Sequence, residues 1–259
     1  MGEIINLEYY GITKIVKYRN NKVVKANELI QQARHDLSLT EQKIILYAIS
    51  RLNTGDSELP EMVLNISDFC KVCGMSCTNL TNIKRIFQRL SDKSFWMPLS
   101  GGVESCVRWF SILRVIPRSD KIMLKFHEDL KPYLLQLKQL YTQYNLYNVL
   151  AMNSKYGIRI YELFRSYLNL GKKVISMPEL KRLLSAENYT RFNDFRRFVL
   201  NPAVEEINEL TDIYIIWDGI TGYNGAIEAL EIHIRKKTAN ELNKAKLRCD
   251  YLLGVFESA

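Results

Sequence analysis

Apolar residues recur at helical spacing over 23–52, the clearest pattern in the first half of the chain. The pattern divides near Ser38 into two predicted helices. Ser38 and Glu41 have the spacing of a capping box, in which the serine hydroxyl and the glutamate carboxylate satisfy free N–H groups at the start of a helix. One apolar stripe follows the box and indicates the face that packs into a core: Ile44, Ile45, Ala48, Ile49 and Leu52.

Four further elements follow in the first half of the chain. A short helix is predicted over about 67–73, and Gly74 ends it because glycine readily adopts the left-handed backbone of a helix C-terminus. A second helix is predicted over 78–91. Runs of β-branched and aromatic residues over 107–116 and 121–126 predict a hairpin. This order of helices and strands is typical of a winged helix-turn-helix.

The segment 128–150 continues the helical pattern, with leucines and tyrosines at regular spacing. Pro132 suits the first turn of a helix, where its missing N–H removes no hydrogen bond. We therefore predict one long helix that joins two domains and packs on both.

The order of elements then repeats. Residues 154–169 match 38–53 at an offset of 116, so that Arg159 corresponds to Lys43. A second short helix is predicted to begin at Ser176, with its own capping box. Two predicted strands close the second unit: 212–217 and 226–234. The repeated order predicts a duplicated unit.

The predicted fold is α+β, with tandem winged helix-turn-helix domains joined by a long helix. The divisions are an N-terminal arm at 1–22, a first winged-helix domain at 23–127, the joining helix at 128–150, a second winged-helix domain at 151–237 and a C-terminal tail at 238–259.

Charge is segregated along the predicted helix 190–210. Its first part, 190–201, holds three Arg and one Asp, whereas 202–210 holds three Glu and no basic residue. A helix that reads DNA inserts its N-terminal part into the major groove, where Arg pairs with guanine and Asn with adenine. Pro202 is expected to kink or break the helix near Asn201. The alternative is an amphipathic helix whose arginines face solvent.

The candidate DNA-binding residues form two sets. The apolar side of the 190–210 helix is predicted to hold Phe192, Phe195, Phe198 and Val199. Its polar side carries the candidates for base contact: Arg191, Asn193, Asp194, Arg196 and Arg197. The helix at 78–91 carries the candidates for phosphate contact, which positions a protein without specifying sequence: Lys84, Arg85 and Arg89.

The amino-acid composition indicates a polyanionic partner. The 259 residues include 36 Lys and Arg against 28 Asp and Glu, a net charge of +8 and a pI near 9.1. A basic balance favours nucleic acid as the partner. The excess is +6 before residue 146 and +2 after it, so local clustering has to form any DNA-binding surface.

Motifs for catalysis, cofactors or metals are not found. The chain has no phosphate-binding loop, no nucleophile elbow and no paired histidines, so we predict no catalytic residue and no cofactor. Its five cysteines suit free thiols in a reducing compartment. Cys70, Cys73 and Cys77 lack the fourth ligand of a closed zinc site, so we predict no metal. Without a secretory signal or membrane-spanning run, the expected location is cytoplasmic.

Several motifs resemble the iteron-binding Rep type of plasmid replication initiator, a family with two winged-helix domains. No single motif is specific, but their order and spacing are. The motifs are Leu39–Lys43, Leu130–Lys138 with Tyr141–Tyr144, Ser154–Leu163, and Asp194–Arg197 with Glu206–Asn208.

The resemblance implies a function on double-stranded origin DNA. The second winged helix would make the main base contacts on short direct repeats, and the first would contact adjoining backbone and supply a dimer interface. Family members initiate replication as monomers, with a host replication initiator and the replicative helicase as partners, and repress their own gene as dimers. The chain departs from the family at the second wing, because 219–225 holds no Lys or Arg.

Two other readings stay open from the sequence. A duplicated winged-helix transcriptional repressor without initiator activity would have the same pattern. A strand-nicking enzyme is the other alternative, since the 15 tyrosines offer nucleophiles, but no metal pair or general base accompanies any of them.

Overall fold

The computed structural model describes residues 13–76, 80–98, 103–223 and 225–255. The predicted N-terminal arm up to residue 12, the first two residues of the predicted helix 78–91 and the last four residues of the predicted tail lie outside these ranges.

The first unit contains helices and three small sheets. The elements are α1 (13–19), β1 (Lys22–Ala26), α2 (Asn27–Gln32), α3 (Leu39–Ile49), β2 (Met62–Asn65), α4 (Ile66–Val72), α5 (Leu80–Ser91), β3 (Ser94–Pro98), β4 (Glu104–Arg108), β5 (Phe110–Val115) and β6 (Lys121–Phe126). In the described residues, β2, β6 and β5 form one sheet in that order, and β3 pairs with β4. Strand β1 pairs with a strand further along the chain.

Local signals placed most of these elements correctly. The capping box is confirmed at the start of α3, where the Ser38 hydroxyl accepts the Glu41 N–H and the Glu41 carboxylate accepts the Ser38 N–H at 2.8 Å. Gly74 has a φ of +62° just after α4, as predicted. The start of the 23–52 pattern was predicted wrongly, because residues up to Ala26 form strand β1 rather than a helix.

The segment between the units contradicts the prediction of one long joining helix. It forms a 3-10 turn (Glu128–Leu130), α6 (Lys131–Leu134), β7 (Tyr141–Asn145) and α7 (Tyr147–Leu150). Gln136 and Leu140 have φ of +53° and +51°, values that an α-helix excludes. Strand β7 pairs antiparallel with β1, so long-range pairing overrides the local helical pattern.

The second unit repeats the first. Its elements are α8 (Lys155–Arg165), a 3-10 turn (Leu168–Leu170), β8 (Lys172–Ser176), α9 (Met177–Leu184), α10 (Phe192–Phe195), a π-helical turn (Arg196–Leu200), α11 (Asn201–Leu210), β9 (Ile213–Thr221), β10 (Ile227–Lys236) and α12 (Ala239–Leu252). The strand order β8-β10-β9 matches β2-β6-β5 of the first unit. Helices α3 and α8 are 116 residues apart at both ends, which confirms the predicted correspondence.

The repeat begins earlier than the sequence indicated. In the first unit, β1, α2 and α3 follow one another, and in the second unit β7, α7 and α8 do the same. The two first strands pair with each other, Val24 opposite Gln143. The segment predicted as a joining helix therefore contains the first strand and first helix of the second unit.

The predicted C-terminal tail, 238–259, contains the helix α12. Thr238 and Glu241 form a capping box at its start, a signal in the sequence that the prediction missed. Helix α12 packs on α11 and buries Cys249. Its basic residue Arg248 pairs with Glu209 at 2.7 Å, and its acidic residue Glu241 pairs with Arg235 of β10 at 2.7 Å.

In the described residues, neither the cysteines nor the helices indicate a metal site or a membrane span. Cys73, Cys106 and Cys249 are free thiols, but Cys70 is disulfide-bonded, so the prediction of free thiols is wrong for Cys70. The described residues contain no cluster of metal-ligating side chains. Of the helices in the described ranges, none combines the length and the apolar character that crossing a bilayer demands.

Candidate nucleic-acid interface

One helical run, from Phe192 to Leu210, carries the candidate base-reading residues. It begins as α10, widens into the π-helical turn Arg196–Leu200 and continues as α11. Pro202 explains the wide turn, because proline has no N–H and its ring clashes with the carbonyl four residues earlier. The kink or break expected near Asn201 is thus absorbed as a π-turn, a feature often found at functional sites.

The turn before this helix is fixed from α9. The Lys181 ammonium donates hydrogen bonds to the main-chain carbonyls of Tyr189 and Thr190. Ser176 caps α9 as predicted, accepting the Glu179 N–H at 3.3 Å. The return bond of the predicted capping box is not among the cap contacts of α9, and the Glu179 carboxylate binds Arg182 at 2.8 and 2.9 Å.

All five predicted residues face solvent, four on the run and Arg191 at its N-cap. The side chains of Arg191, Asn193, Asp194, Arg196 and Arg197 are exposed. Phe195 and Val199 are buried on the opposite side, as predicted. Phe198 was predicted on the apolar side but is 52% exposed, with the Arg197 guanidinium 5.1 Å from its ring centre. The π-turn explains this, since its wider spacing shifts the phase of the side chains that follow.

Four of these residues line one concave surface of about 720 Å³ with Glu205 and Trp217. The four are Asn193, Asp194, Arg196 and Arg197. The Trp217 side chain comes from β9 and meets Phe192 edge to face, with ring centres 6.1 Å apart. The contact between strand and helix holds the start of the helical run against the second wing.

Arg191 lies on the neighbouring concavity. This groove is lined by the start of the helix and by the wing residues Gly225, Ala226 and Ile227. No basic side chain stands in the described part of the wing turn, so Lys181 and Arg191 supply the positive charge on this side.

The candidate phosphate-binding residues lie on α5 of the first unit. Ile83, Phe87 and Leu90 bury one side of this helix. Arg85 and Arg89 are exposed on the other side, and Lys84 is half-buried. Helix α5 occupies the place in the first unit that the helical run from Phe192 occupies in the second. The eight predicted residues therefore form two sets, one on the equivalent helix of each unit.

The basic side chains of both sets have no acidic partner among the described residues. Within the described ranges, none of the six makes a salt bridge: Lys84, Arg85, Arg89, Arg191, Arg196 and Arg197. By contrast, Arg165 pairs with Asp212 at 3.1 Å and Arg248 with Glu209 at 2.7 Å. Unpaired guanidinium groups on an exposed helix face can bind anions without first breaking an internal pair.

Sequence reasoning missed Lys181, which fixes the turn before the helix and lines the groove of Arg191, not the concave surface of Arg196 and Arg197. Its partners are main-chain carbonyls, and a contact with main chain leaves no residue type or spacing in the sequence by which to find it.

Tandem winged-helix units with a cationic helix in each define a class of DNA-binding proteins. Comparison with known proteins makes the class specific. The family model described as "Initiator Replication protein, WH1" matches residues 22–165, and "Initiator Rep protein, WH2" matches 176–234. The chain belongs to this family of replication initiator proteins, which confirms the resemblance seen in its motifs.

Individual relatives agree with the family match. A "Replication initiation protein" of Escherichia coli is 29% identical over 209 residues, which cover 76% of this chain and 65% of the relative. The "PI protein" of Escherichia coli is 32% identical over 117 residues, 39% of this chain and 38% of the relative. The chain thus spans less than two thirds of the length of either relative.

A solved structure shares the fold. The crystal structure of Pi initiator protein in complex with iteron DNA matches with a TM-score of 0.71 and 20% sequence identity, covering 85% of this chain and 98% of that one. The prediction of tandem winged-helix domains is confirmed.

Proposed function

We propose that this protein initiates plasmid DNA replication by binding short direct repeats at an origin. Its second unit contacts base edges, and its first unit contacts the adjoining phosphate backbone. The protein acts without catalysis: binding energy on clustered sites distorts the origin and recruits a host replication initiator and the replicative helicase. The protein is located in the bacterial cytoplasm. As a dimer joined through the first unit, it represses its own gene there.

The observation that carries the proposal is the exposed, unpaired cationic face around the π-turn. Arg196 and Arg197 are presented together with Asn193 on one concave surface, within a winged-helix unit of an initiator family. A relative with the same fold was crystallised with iteron DNA, which supports the same class of ligand for this chain.

The side-chain chemistry assigns a role to each residue. Arg191, Arg196 and Arg197 have the two-pronged donors that fit guanine, and Asn193 has the donor and acceptor that fit adenine. Asp194 can accept a hydrogen bond from the cytosine amino group. The phosphate contacts fall to the set on α5, namely Lys84, Arg85 and Arg89.

The repeat is found first, by footprinting the purified protein on the DNA that flanks its gene. Gel shifts on that repeat then compare the wild type with Arg196→Ala and Arg197→Ala. Each variant should lose about 1–3 kcal/mol of binding and relax its preference at one base pair, because a bidentate contact is removed. Arg248→Ala is the matched control, since this exposed arginine pairs with Glu209 away from the reading face.

Two outcomes would count against the proposal. Undiminished affinity of both arginine variants would remove the second unit from base recognition. A wild-type protein that represses a reporter from its own promoter but cannot sustain an origin plasmid would be a repressor without initiator activity.

A further inference from the structure

Helix α12 contacts both units of the protein. Its middle belongs to the second unit, where the Cys249 thiol donates to the carbonyl of Leu210 at 3.2 Å and Arg248 pairs with Glu209 at 2.7 Å. Both partners lie at the end of α11, the last part of the helical run Phe192–Leu210 that carries the candidate base-contacting residues. Helix α12 is therefore anchored, through Arg248 and Cys249, to the end of the helical run that carries the candidate base-contacting residues.

The end of α12 reaches the first unit through one arginine. The Arg19 guanidinium donates to the carbonyl of Leu253 at 3.2 Å, just beyond α12. It also donates to the carbonyls of Val72 at 3.0 Å and Lys71 at 2.8 Å, at the end of α4. Only 8% of Arg19 is exposed, and its bonds to Val72 and Leu253 are buried, while the bond to Lys71 is part-buried.

The electrostatics favour a guanidinium at this place. The last carbonyls of a helix have no partner within the helix, and the helix dipole makes this end negative. Arg19 meets two such ends at once, those of α4 and α12. Burial lowers the pKa of Arg19, yet a guanidinium stays charged in proteins. Lysine lacks the planar fork that spans several carbonyls.

Close packing supports the same junction. Leu253 is buried against Gly74, where a Cβ would lie 3.1 Å from the Leu253 Cα, and the φ of +62° also favours glycine. Nearby, the Tyr147 hydroxyl donates to the Asp250 carboxylate at 2.6 Å, so α7 is tied to the same helix. Three elements of the chain thus meet the last turns of α12.

Both partners of this junction lie outside the matched family regions. Those regions begin at residue 22 and end at residue 234, whereas Arg19 precedes them and α12 follows them. The family match therefore assigns no role to either.

We propose that Arg19 and α12 form a clasp that fixes the distance and angle between the two DNA-binding units. Arg19 is a positioning residue that contacts no DNA. Helix α4 immediately precedes α5, and Arg19 joins the end of α4 to the end of α12. Helix α12 is in turn bonded to the end of α11, so this chain of contacts connects the two cationic helices. The proposal rests on the proposed function, because the clasp has its effect when both units bind one repeat.

A rigid pair of binding units has two measurable properties. Once one unit binds, the other is already near its site, which raises the effective concentration for the second contact. A rigid pair also rejects DNA in which the two contact sites are moved apart, because both units can then no longer engage together.

The test uses Arg19→Met in the full chain, with Lys17→Met, which removes an exposed cation on the same helix α1, as the matched control. Affinity is measured for three DNAs. They are the cognate repeat, the same repeat with one base pair inserted between the two footprinted contact regions, and a half-site that contains only the region contacted by the second unit. Arg19→Met should bind the cognate repeat about tenfold more weakly, bind the half-site as the wild type does, and lose most of its preference against the insertion. The control should keep that preference.

A uniform loss of affinity on all three DNAs would overturn the clasp, since it would show only that Arg19 stabilises the fold. An unchanged preference against the insertion would overturn it too. Circular dichroism checks that the variant folds, and Tyr147→Phe, which removes the bond to Asp250, is the second variant if it does not. Tyr147→Phe should also weaken the preference.

A DNA-free measurement separates this proposal from the proposed function. Spin labels on exposed positions of α5 and α10 report the distance between the units by pulsed electron resonance. A narrow distance distribution in the wild type that broadens in Arg19→Met supports the clasp even if no repeat is bound. An equally narrow distribution in both proteins refutes it even if the repeat is bound.

Discussion

Acidification below neutral pH should destabilise the protein through one buried histidine. His35 lies between α2 and α3 with its ring edge against Trp109, ring centres 5.5 Å apart, and its Nδ1 has no hydrogen-bond partner among the described residues. Burial, followed by the nearby charges of Arg159 and Lys25, lowers the pKa of His35 well below its ordinary value. In the folded protein the ring therefore stays neutral at mildly acid pH.

The size of the effect follows from proton linkage. An unfolded chain binds a proton on this histidine below pH about 6.5, whereas the folded chain does not, so stability falls as pH falls. The loss from His35 approaches about 1.4 kcal/mol at pH 5.5, the limit set by the unfolded-state pKa, and it stops growing only below the folded-state pKa. Above pH 7.5 the contribution is close to zero.

Urea denaturation at pH 7.5, 6.5 and 5.5 measures this loss. The pH dependence over this range should largely disappear in His35→Phe, which keeps an aromatic ring beside Trp109 but cannot titrate. The half-buried His127, changed to Asn, is the control and should retain the wild-type dependence. A His35→Phe protein that loses stability with acid as steeply as the wild type would refute the assignment of the effect to this ring.

Three other predictions concern stability and DNA binding. Glu162→Gln should lower the free energy of unfolding by about 3–5 kcal/mol in urea, because the buried Lys25 ammonium, 2.5 Å from the carboxylate, loses its counter-charge; a loss under about 1 kcal/mol would contradict it. Ser38→Ala should cost about 1 kcal/mol in the same assay by removing a helix cap. In salt titrations of repeat binding, Lys84→Ala should reduce the slope of log K against log salt by about 1 with little change in sequence preference, and Arg196→Ala should change the preference; identical behaviour of the two variants would argue against separate roles.

Elements with a local signal could be predicted from the sequence, and those made by distant pairing could not. The Ser38 capping box and Gly74 mark helix ends through contacts within a few residues. Strand β7 has no comparable mark, since it becomes a strand by pairing with β1, more than a hundred residues away. The helical spacing of its leucines and tyrosines was therefore misleading.

The candidate site shows the same division. Helical periodicity placed Arg196 and Arg197 on the exposed face correctly, but it placed Phe198 on the wrong side, because a π-turn changes the period within the helix. The roles of Lys181 and Arg19 were not predicted, because both side chains donate to main-chain carbonyls. Every residue has such a carbonyl, so the sequence does not mark which one is the partner.

The correspondence between Lys43 and Arg159 connects the duplication to the way the units associate. Lys43 of α3 donates to the carbonyl of Leu150 at 2.6 Å, at the end of α7, which precedes α8. Arg159 of α8 donates to the carbonyls of Ile30 and Ala33 at 3.1 and 2.9 Å, at the end of α2, which precedes α3. Each buried cation thus stabilises the helix end that leads into the other's helix.

This reciprocity is the pattern of an interface with approximate twofold symmetry, formed within one chain by two copies of one unit. The β1–β7 pairing has the same symmetry, because equivalent strands of the two units pair with each other. The two units depart from this symmetry at the helices that carry the candidate DNA-binding residues. The π-turn interrupts the second unit's run, whereas α5 is a regular α-helix throughout its length, and this difference is a structural reason to assign base reading to the second unit and backbone contact to the first.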